Sequence, residues 1–190
     1  MPLGSLLGTP VQPGGWLGEN RGMAFTIRRA GPDDFEAVGE ITVRAYLEGG
    51  HLAQDSTYVT TLADARARSE GAELWVAVDA DGTVLGTVTF APPGTPFHEI
   101  ALADEGDVRM LAVDPSAQGY GIGEALMLRC IERARELRLA GLALSTQPSM
   151  LAAHRVYQRL GFERAPKRDW RPMPDIMLLA YELDLSRHPA

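Results

Sequence analysis

The chain has 190 residues, of which 45% are hydrophobic and 23% charged, with a formal net charge of -7. That length suits one domain with its own core, and the composition lies far from the regime in which chains stay disordered. The negative balance argues against nucleic acid as a partner, because a polyanion binder needs a basic patch to displace counterions.

Residues 1–22 are rich in Gly and Pro, carry no basic residue before Arg21 and offer only Leu6-Leu7 as an apolar centre, unlike a signal peptide. They read as a flexible arm, a tag remnant or an upstream start, ahead of a single domain over 23–186 and a tail over 187–190. Phe25–Ala30 alternates as a half-buried strand does, and Gly31-Pro32-Asp33 starts a helix that runs to about Tyr46. Gly49-Gly50 breaks it, and a second helix is predicted from Asp55 to Arg68. Leu74–Val78 and Val84–Phe90 form a hairpin across Asp79-Ala80-Asp81-Gly82.

Residues 91–106 carry Pro, Gly and acids without a period and read as a surface loop. Val108–Val113 is an apolar strand that Asp114-Pro115 ends, because the residue before a proline avoids the helical region. A helix over about Gly121–Leu139 follows, then a short strand, Leu142–Ser145, so two parallel neighbouring strands are expected. Cys130 sits on the apolar stripe of that helix and reads as core; as the one cysteine it needs no oxidising compartment. Ser149–Leu160 is a further helix stopped by Gly161, followed by extended Phe162–Ala165 and a last strand, Ile176–Leu183. The four histidines, His51, His98, His154 and His188, lack metal-ligand spacing, so no metal is implied. No stretch approaches the roughly 18 apolar residues of a membrane span, and a soluble cytoplasmic protein is expected.

Gln118-Gly119-Tyr120-Gly121-Ile122-Gly123-Glu124 lies between a strand and a helix start. Glycines there let the main chain approach a ligand, and unpaired amides at a helix start attract anions, the dipole adding about 0.3–1 kcal/mol per nearby charge. A tight turn alone would also use three glycines. The G-x-G-x-G spacing departs from the dinucleotide fingerprint, and Gly123-Glu124-Ala125 lacks the Lys-Ser/Thr of a Walker loop.

Leu111-Ala112-Val113-Asp114-Pro115 followed by Gln118-x-x-Gly121-x-Gly123 resembles the acetyl-CoA motif of the GNAT superfamily of N-acetyltransferases. Ala153 to Phe162, ending Tyr157-x-x-x-Gly161-Phe162, is similar to that family's second signature. The resemblance implies an α+β fold in three layers: a mixed, mostly antiparallel sheet with a central parallel strand pair splayed around CoA, flanked by helices. It also implies acetyl transfer from acetyl-CoA, as co-substrate, to a primary amine by direct attack.

On that resemblance, Gln118, Gly119, Tyr120, Gly121, Ile122, Gly123 and Glu124 cradle the pyrophosphate. The main chain of Leu111, Ala112 and Val113 pairs with the pantetheine arm, Leu144 and Ser145 line the far side, and Tyr157 is the general acid that protonates the leaving sulfur. Asp107, or Glu105 beside it, is the expected base. Arg109 either binds a carboxylate-bearing acceptor or pairs with Asp107. Where the family often has an asparagine seven residues before the tyrosine, this chain has Met150; Ser149 or His154 then supplies the polar contact. Residues 31–70, 91–107 and 166–176 should shape the acceptor side, with Tyr46, His51 and Tyr58 as candidates. Partners are acetyl-CoA and an amine, with a homodimer compatible. The competing reading is a non-catalytic acyl-CoA sensor using the same cradle.

Overall fold

The computed structural model describes residues 16–20, 23–50, 58–173 and 176–187; His51 lies outside them. Strands β1 (Trp16–Asn20) and β2 (Met23–Arg29) precede helix α1 (Phe35–Glu48), α2 (Tyr58–Ala63) and α3 (Ala65–Gly71). The hairpin β3 (Glu73–Val78) and β4 (Val84–Ala91) leads to β5 (Glu105–Val113), α4 (Ile122–Glu136) and β6 (Gly141–Thr146). Helix α5 (Leu151–Arg159) is followed by β7 (Glu163–Arg164), β8 (Trp170–Met173) and β9 (Ile176–Asp184). The sheet order is β1-β2-β3-β4-β5-β6-β9-β7, with β8 also pairing β9. The β5–β6 pair is parallel and all its neighbours are antiparallel, which is the mixed sheet the resemblance implies.

Alternation along β3 explains the layers. Trp75 and Ala77 point into a core with Phe25, Ile27, Val88 and the buried face of α4, including Cys130. Leu74, Val76 and Val78 point to the other face, where Val38 and Ile41 of α1 cover them. Asp34 fixes the entry of α1: its carboxylate accepts from Gly31 N at 2.7 Å and from both Arg28 Nη atoms at 2.7 and 2.9 Å. Arg28 and the Gly31 amide hold Asp34 below its ordinary carboxylate value.

Four expectations are corrected. Residues Trp16–Asn20, read as part of an arm, form an edge strand on β2, paired from Trp16↔Ile27 to Asn20↔Met23; backbone pairing, not side-chain pattern, places them. The helix expected to run to Arg68 is interrupted at Asp64, whose carboxylate accepts from Ala67 N at 2.8 Å and so caps a new helix. Strand β5 begins at Glu105, not Val108, so Asp107 is a strand residue facing Ala91 and Ala143. Trp170–Met173, read as a connection, is a strand on β9.

Helix α1 meets α2 so closely that a Cβ on Gly39 would lie 2.5 Å from the Ala63 carbonyl oxygen. Helix propensity favours alanine over glycine by about 1 kcal/mol, but overpacking typically costs 1–3 kcal/mol. Gly39→Ala is therefore expected to lower the melting temperature, by about 2–4 °C for each kcal/mol lost. Thermal unfolding followed by circular dichroism checks this, and a gain in stability would contradict the close approach.

Candidate active site

The glycine loop is built from the end of β5. Asp114 turns the chain by accepting from Ser116 N at 2.9 Å and Ser116 Oγ at 2.6 Å, and Arg44 of α1 grips its other oxygen at 2.6 Å. Gly119 and Gly121 then take φ of 84° and 80°, the left-handed region that favours glycine. Gly121 is the N-cap of α4, and its carbonyl accepts the first helical bond from Ala125 N at 3.0 Å. The amides from Gly119 to Glu124 donate to no other described residue. Glu124 would repel an anion at this helix start, but Arg159 of α5 pairs with it at 2.6 and 3.1 Å.

Beside the loop the parallel strands part. Their register runs from Glu105↔Gly141 to Val108↔Leu144 and stops, although β5 continues to Val113 and β6 to Thr146. A bulge accompanies the parting. Thr89 faces Arg109 but Thr87 faces Ala112, and Met110 takes a φ of 52°, a conformation costing a non-glycine residue roughly 1–2 kcal/mol. The edge of β5 beyond Val108 thus has no described strand beside it on the β6 side. Leu111 and Val113 are partly exposed there, while Ala112 is buried. An extended ligand with amide groups can add to such an edge.

A cavity of ≈ 240 Å³ opens at the gap, walled by Val108, Arg109 and Met110 of β5 and by Ser145, Thr146 and Gln147 beyond the last β5–β6 pair. Tyr46, Tyr58 and Glu99 close one side, and Trp170, Ile176 and Leu178 close the other. Met150 also reaches the cavity, its sulfur accepting from Thr146 Oγ1 at 3.4 Å. Helix α5 begins at Leu151 with Met150 as its N-cap, two residues later than expected, after a turn bond from Met150 N to Gln147 O. His154 contacts the Gln147 carbonyl through Nε2 at 3.1 Å and packs on Tyr181 at 5.5 Å, so it ties α5 to the end of β6.

Tyr157 does not line the cavity; it is 6% exposed and lies between Phe162 and Tyr181 with ring centroids at 6.0 and 5.7 Å. Burial pushes its phenol well above the ordinary 10.0, and the Tyr46 and Tyr181 phenols push it the same way. Tyr46, which does line the cavity, is raised for the same first reason.

The expected bases are engaged elsewhere. Asp107 is 1% exposed, does not line the cavity, and its Oδ2 accepts from the amides of Glu99, Ile100 and Ala101 at 2.9, 2.8 and 3.4 Å. Burial raises its carboxyl above the usual value against the opposing pull of those amides and Arg109. Glu105 accepts from Arg168 at 2.6 and 3.1 Å and from Leu102 N at 2.8 Å. Among the described residues, the carboxylate that lines the cavity is Glu99, paired with Arg109 at 2.9 Å. Among several loop acids, no spacing singled Glu99 out.

This geometry makes Asp107 an anchor for the loop that carries Glu99. Asp107→Asn keeps an oxygen for the three amides and is expected to leave kcat within about threefold of the parent, whereas loss of a general base costs about 10²–10⁴-fold. Steady-state rates of CoA release check it; a loss in the second range would make Asp107 the base.

The model of the Acetyltransferase (GNAT) family matches residues 35–162, well over half of the chain. Mycothiol acetyltransferase of Nocardia farcinica is 39% identical over 100 residues, covering 50% of this chain and 32% of that protein. Mycothiol acetyltransferase of Actinosynnema mirum is 35% identical over 148 residues, covering 75% of this chain and 45% of that protein. The chain thus spans about a third to just under half the length of these two relatives. Among solved structures, yncA from Salmonella typhimurium with its cofactor acetyl-CoA superposes with a TM-score of 0.64 and 26% identity, covering 87% of this chain and 96% of that one. A GNAT-family acetyltransferase from Staphylococcus aureus superposes with a TM-score of 0.69 at 18% identity, covering 85% and 99%. With the family model matched across loop, gap and Tyr157, the chain belongs to the GNAT acetyltransferase family.

Proposed function

We propose that the chain is an N-acetyltransferase that moves the acetyl group of acetyl-CoA to a primary amine by direct attack. The observation that carries this reading is the parting of β5 and β6 beyond Val108 and Leu144, next to a helix start whose amides have no described partner. The amides of 119–124 hold the pyrophosphate, and the free edge at Leu111 to Val113 takes the pantetheine amides. The thioester then lies in the cavity that Glu99 lines.

A lysine-like amine with a pKa of ~10.4 is neutral in only about one molecule in a few thousand at pH 7, so a proton acceptor is needed. Glu99 is that group in this reading, in preference to Asp107 and Glu105. Glu99 takes one proton from the ammonium, and the freed nitrogen attacks the thioester carbonyl carbon. A C–N bond forms, and the C–S bond breaks as the adduct collapses. Tyr157 gives its proton to the departing sulfur and regains one from water; the nitrogen releases its second proton to solvent, and Glu99 then gives up the proton it took. The products are the N-acetyl amine, free CoA and one proton.

No described helix is long and apolar enough to cross a membrane. The buried single thiol of Cys130 is compatible with a reducing compartment, and we read the site of action as cytoplasmic. The test is release of free CoA from acetyl-CoA across a panel of amines. Amine-dependent release supports the reading; tight acetyl-CoA binding without release to any amine would leave a non-catalytic acyl-CoA sensor.

A further inference from the structure

The Arg109–Glu99 ion pair lines the cavity and is partly exposed on both sides. Arg109 pairs with Glu99 through Nη2 at 2.9 Å. The guanidinium lies over the Phe97 ring, whose centroid is 5.9 Å from Cζ. The Glu99 side chain remains 42% exposed against 20% for Arg109. The nearby carboxylate of Asp107 is turned to the amides of residues 99–101 and the nearby guanidinium of Arg68 to Thr42 Oγ1, Leu62 O and Asp64 O. Arg68 Nη1 has no hydrogen-bond partner among the described residues, and Arg109 also attracts the Asp107 carboxylate. An arginine with free, coplanar donors is suited to a carboxylate, and a carboxylate with a free oxygen is suited to an ammonium.

The two charges also stand at a spacing that one ligand can match. An α-amino acid carries its ammonium and carboxylate roughly 3 Å apart, comparable to an N–O contact of the kind Arg109 and Glu99 make. Antiparallel alignment of the two charge pairs satisfies all four groups at once. The wall opposite Glu99 is apolar and aromatic: Trp170, Ile176 and Leu178. The cavity of ≈ 240 Å³ must admit the acetyl end of the donor and an acceptor of modest size.

Resting on the transferase reading, we infer that the acceptor is a free α-amino acid with an apolar side chain, its carboxylate held by Arg109 and its amine set against Glu99. Glu99 is then both the recognition partner of the ammonium and the acceptor of its proton. Arg109 is a specificity residue that excludes amines lacking the adjacent carboxylate.

The experiment compares matched pairs with the full chain and acetyl-CoA: leucine against isoamylamine, methionine against 3-(methylthio)propylamine, phenylalanine against phenethylamine. Each is followed by CoA release and by mass detection of the N-acetyl product. Expected is a kcat/KM at least about tenfold higher for the amino acid in at least one pair, as a charge-assisted contact supplies. Arg109→Gln is expected to abolish that difference mainly through KM, and Arg109→Lys to restore part of it. Equal or better turnover of the carboxylate-free amine by the parent protein would overturn the inference while leaving N-acetyl transfer intact. Turnover confined to amines outside both series overturns it in the same way. Binding of acetyl-CoA with no release to any amine removes the transferase reading itself. The parent comparison needs no variant, so a misfolded Arg109→Gln protein does not shield the inference.

Discussion

Tyr157→Phe is expected to lower kcat by about 10²–10⁴-fold, the usual contribution of a positioned general acid, with little change in acetyl-CoA affinity. The ring keeps its contacts with Phe162 and Tyr181, so the substitution removes one hydroxyl and little packing. The pH profile separates chemistry from structure. The working form of an acid is the protonated one, and burial raises the Tyr157 phenol above its ordinary 10.0. A raised value extends the protonated form upward, so kcat should show no alkaline decline attributable to this group up to about pH 10. Steady-state CoA release gives kcat, and isothermal titration with acetyl-CoA gives the affinity. A variant with parental kcat would remove Tyr157 from the chemistry.

Gly121→Val should weaken acetyl-CoA binding by at least about tenfold. Gly121 holds φ at 80° as the N-cap of α4, where a left-handed residue other than glycine costs roughly 1–2 kcal/mol and a β-branched one more. Each 1.36 kcal/mol corresponds to a factor of ten. Relief of that strain rotates the peptides on either side and turns the amides of the helix start away from a common point. Gly123→Ala provides the contrast. Its backbone needs no positive φ, and the added Cβ would meet Val113 Cγ2 at 3.5 Å, an ordinary contact. A loss of affinity in Gly123→Ala therefore reports close approach of the ligand to the main chain, not strain. Titration calorimetry on both variants is the measurement, and parental affinity in Gly121→Val would place the pyrophosphate elsewhere.

Much of this site could be read from the chain because its signals are local. The glycine loop, the strand before Asp114-Pro115 and the helix ending at Gly161 each announce themselves within a few residues, through backbone freedom, proline sterics and hydrophobic period. The hairpin at Gly82 was legible for the same reason. What could not be read depends on partners distant in sequence. Glu105, Gly106 and Asp107 look like loop because two are charged, yet Gly106 sits under the Phe90 ring, where a Cβ would come within 2.6 Å, and Asp107 is sheltered by amides of the loop that precedes β5. Trp170–Met173 is mixed in polarity and becomes a strand only because β9 offers an edge. Glu99 gains its position from Arg109, and nothing in the local pattern distinguishes it from Asp104. The bulge at Met110 is likewise invisible in a run of apolar residues, although it accompanies the parting of the strands.

The central claim, that acetyl-CoA seats its pyrophosphate on the helix start and its arm along the parted strand, is tested most directly by amide chemical-shift mapping during titration with acetyl-CoA. The expected result is saturable perturbation concentrated at residues 119–124 and at Leu111 to Val113, with little change along the distant β1–β2 edge. Saturable binding that leaves those amides unmoved, with perturbations clustered elsewhere, would contradict it.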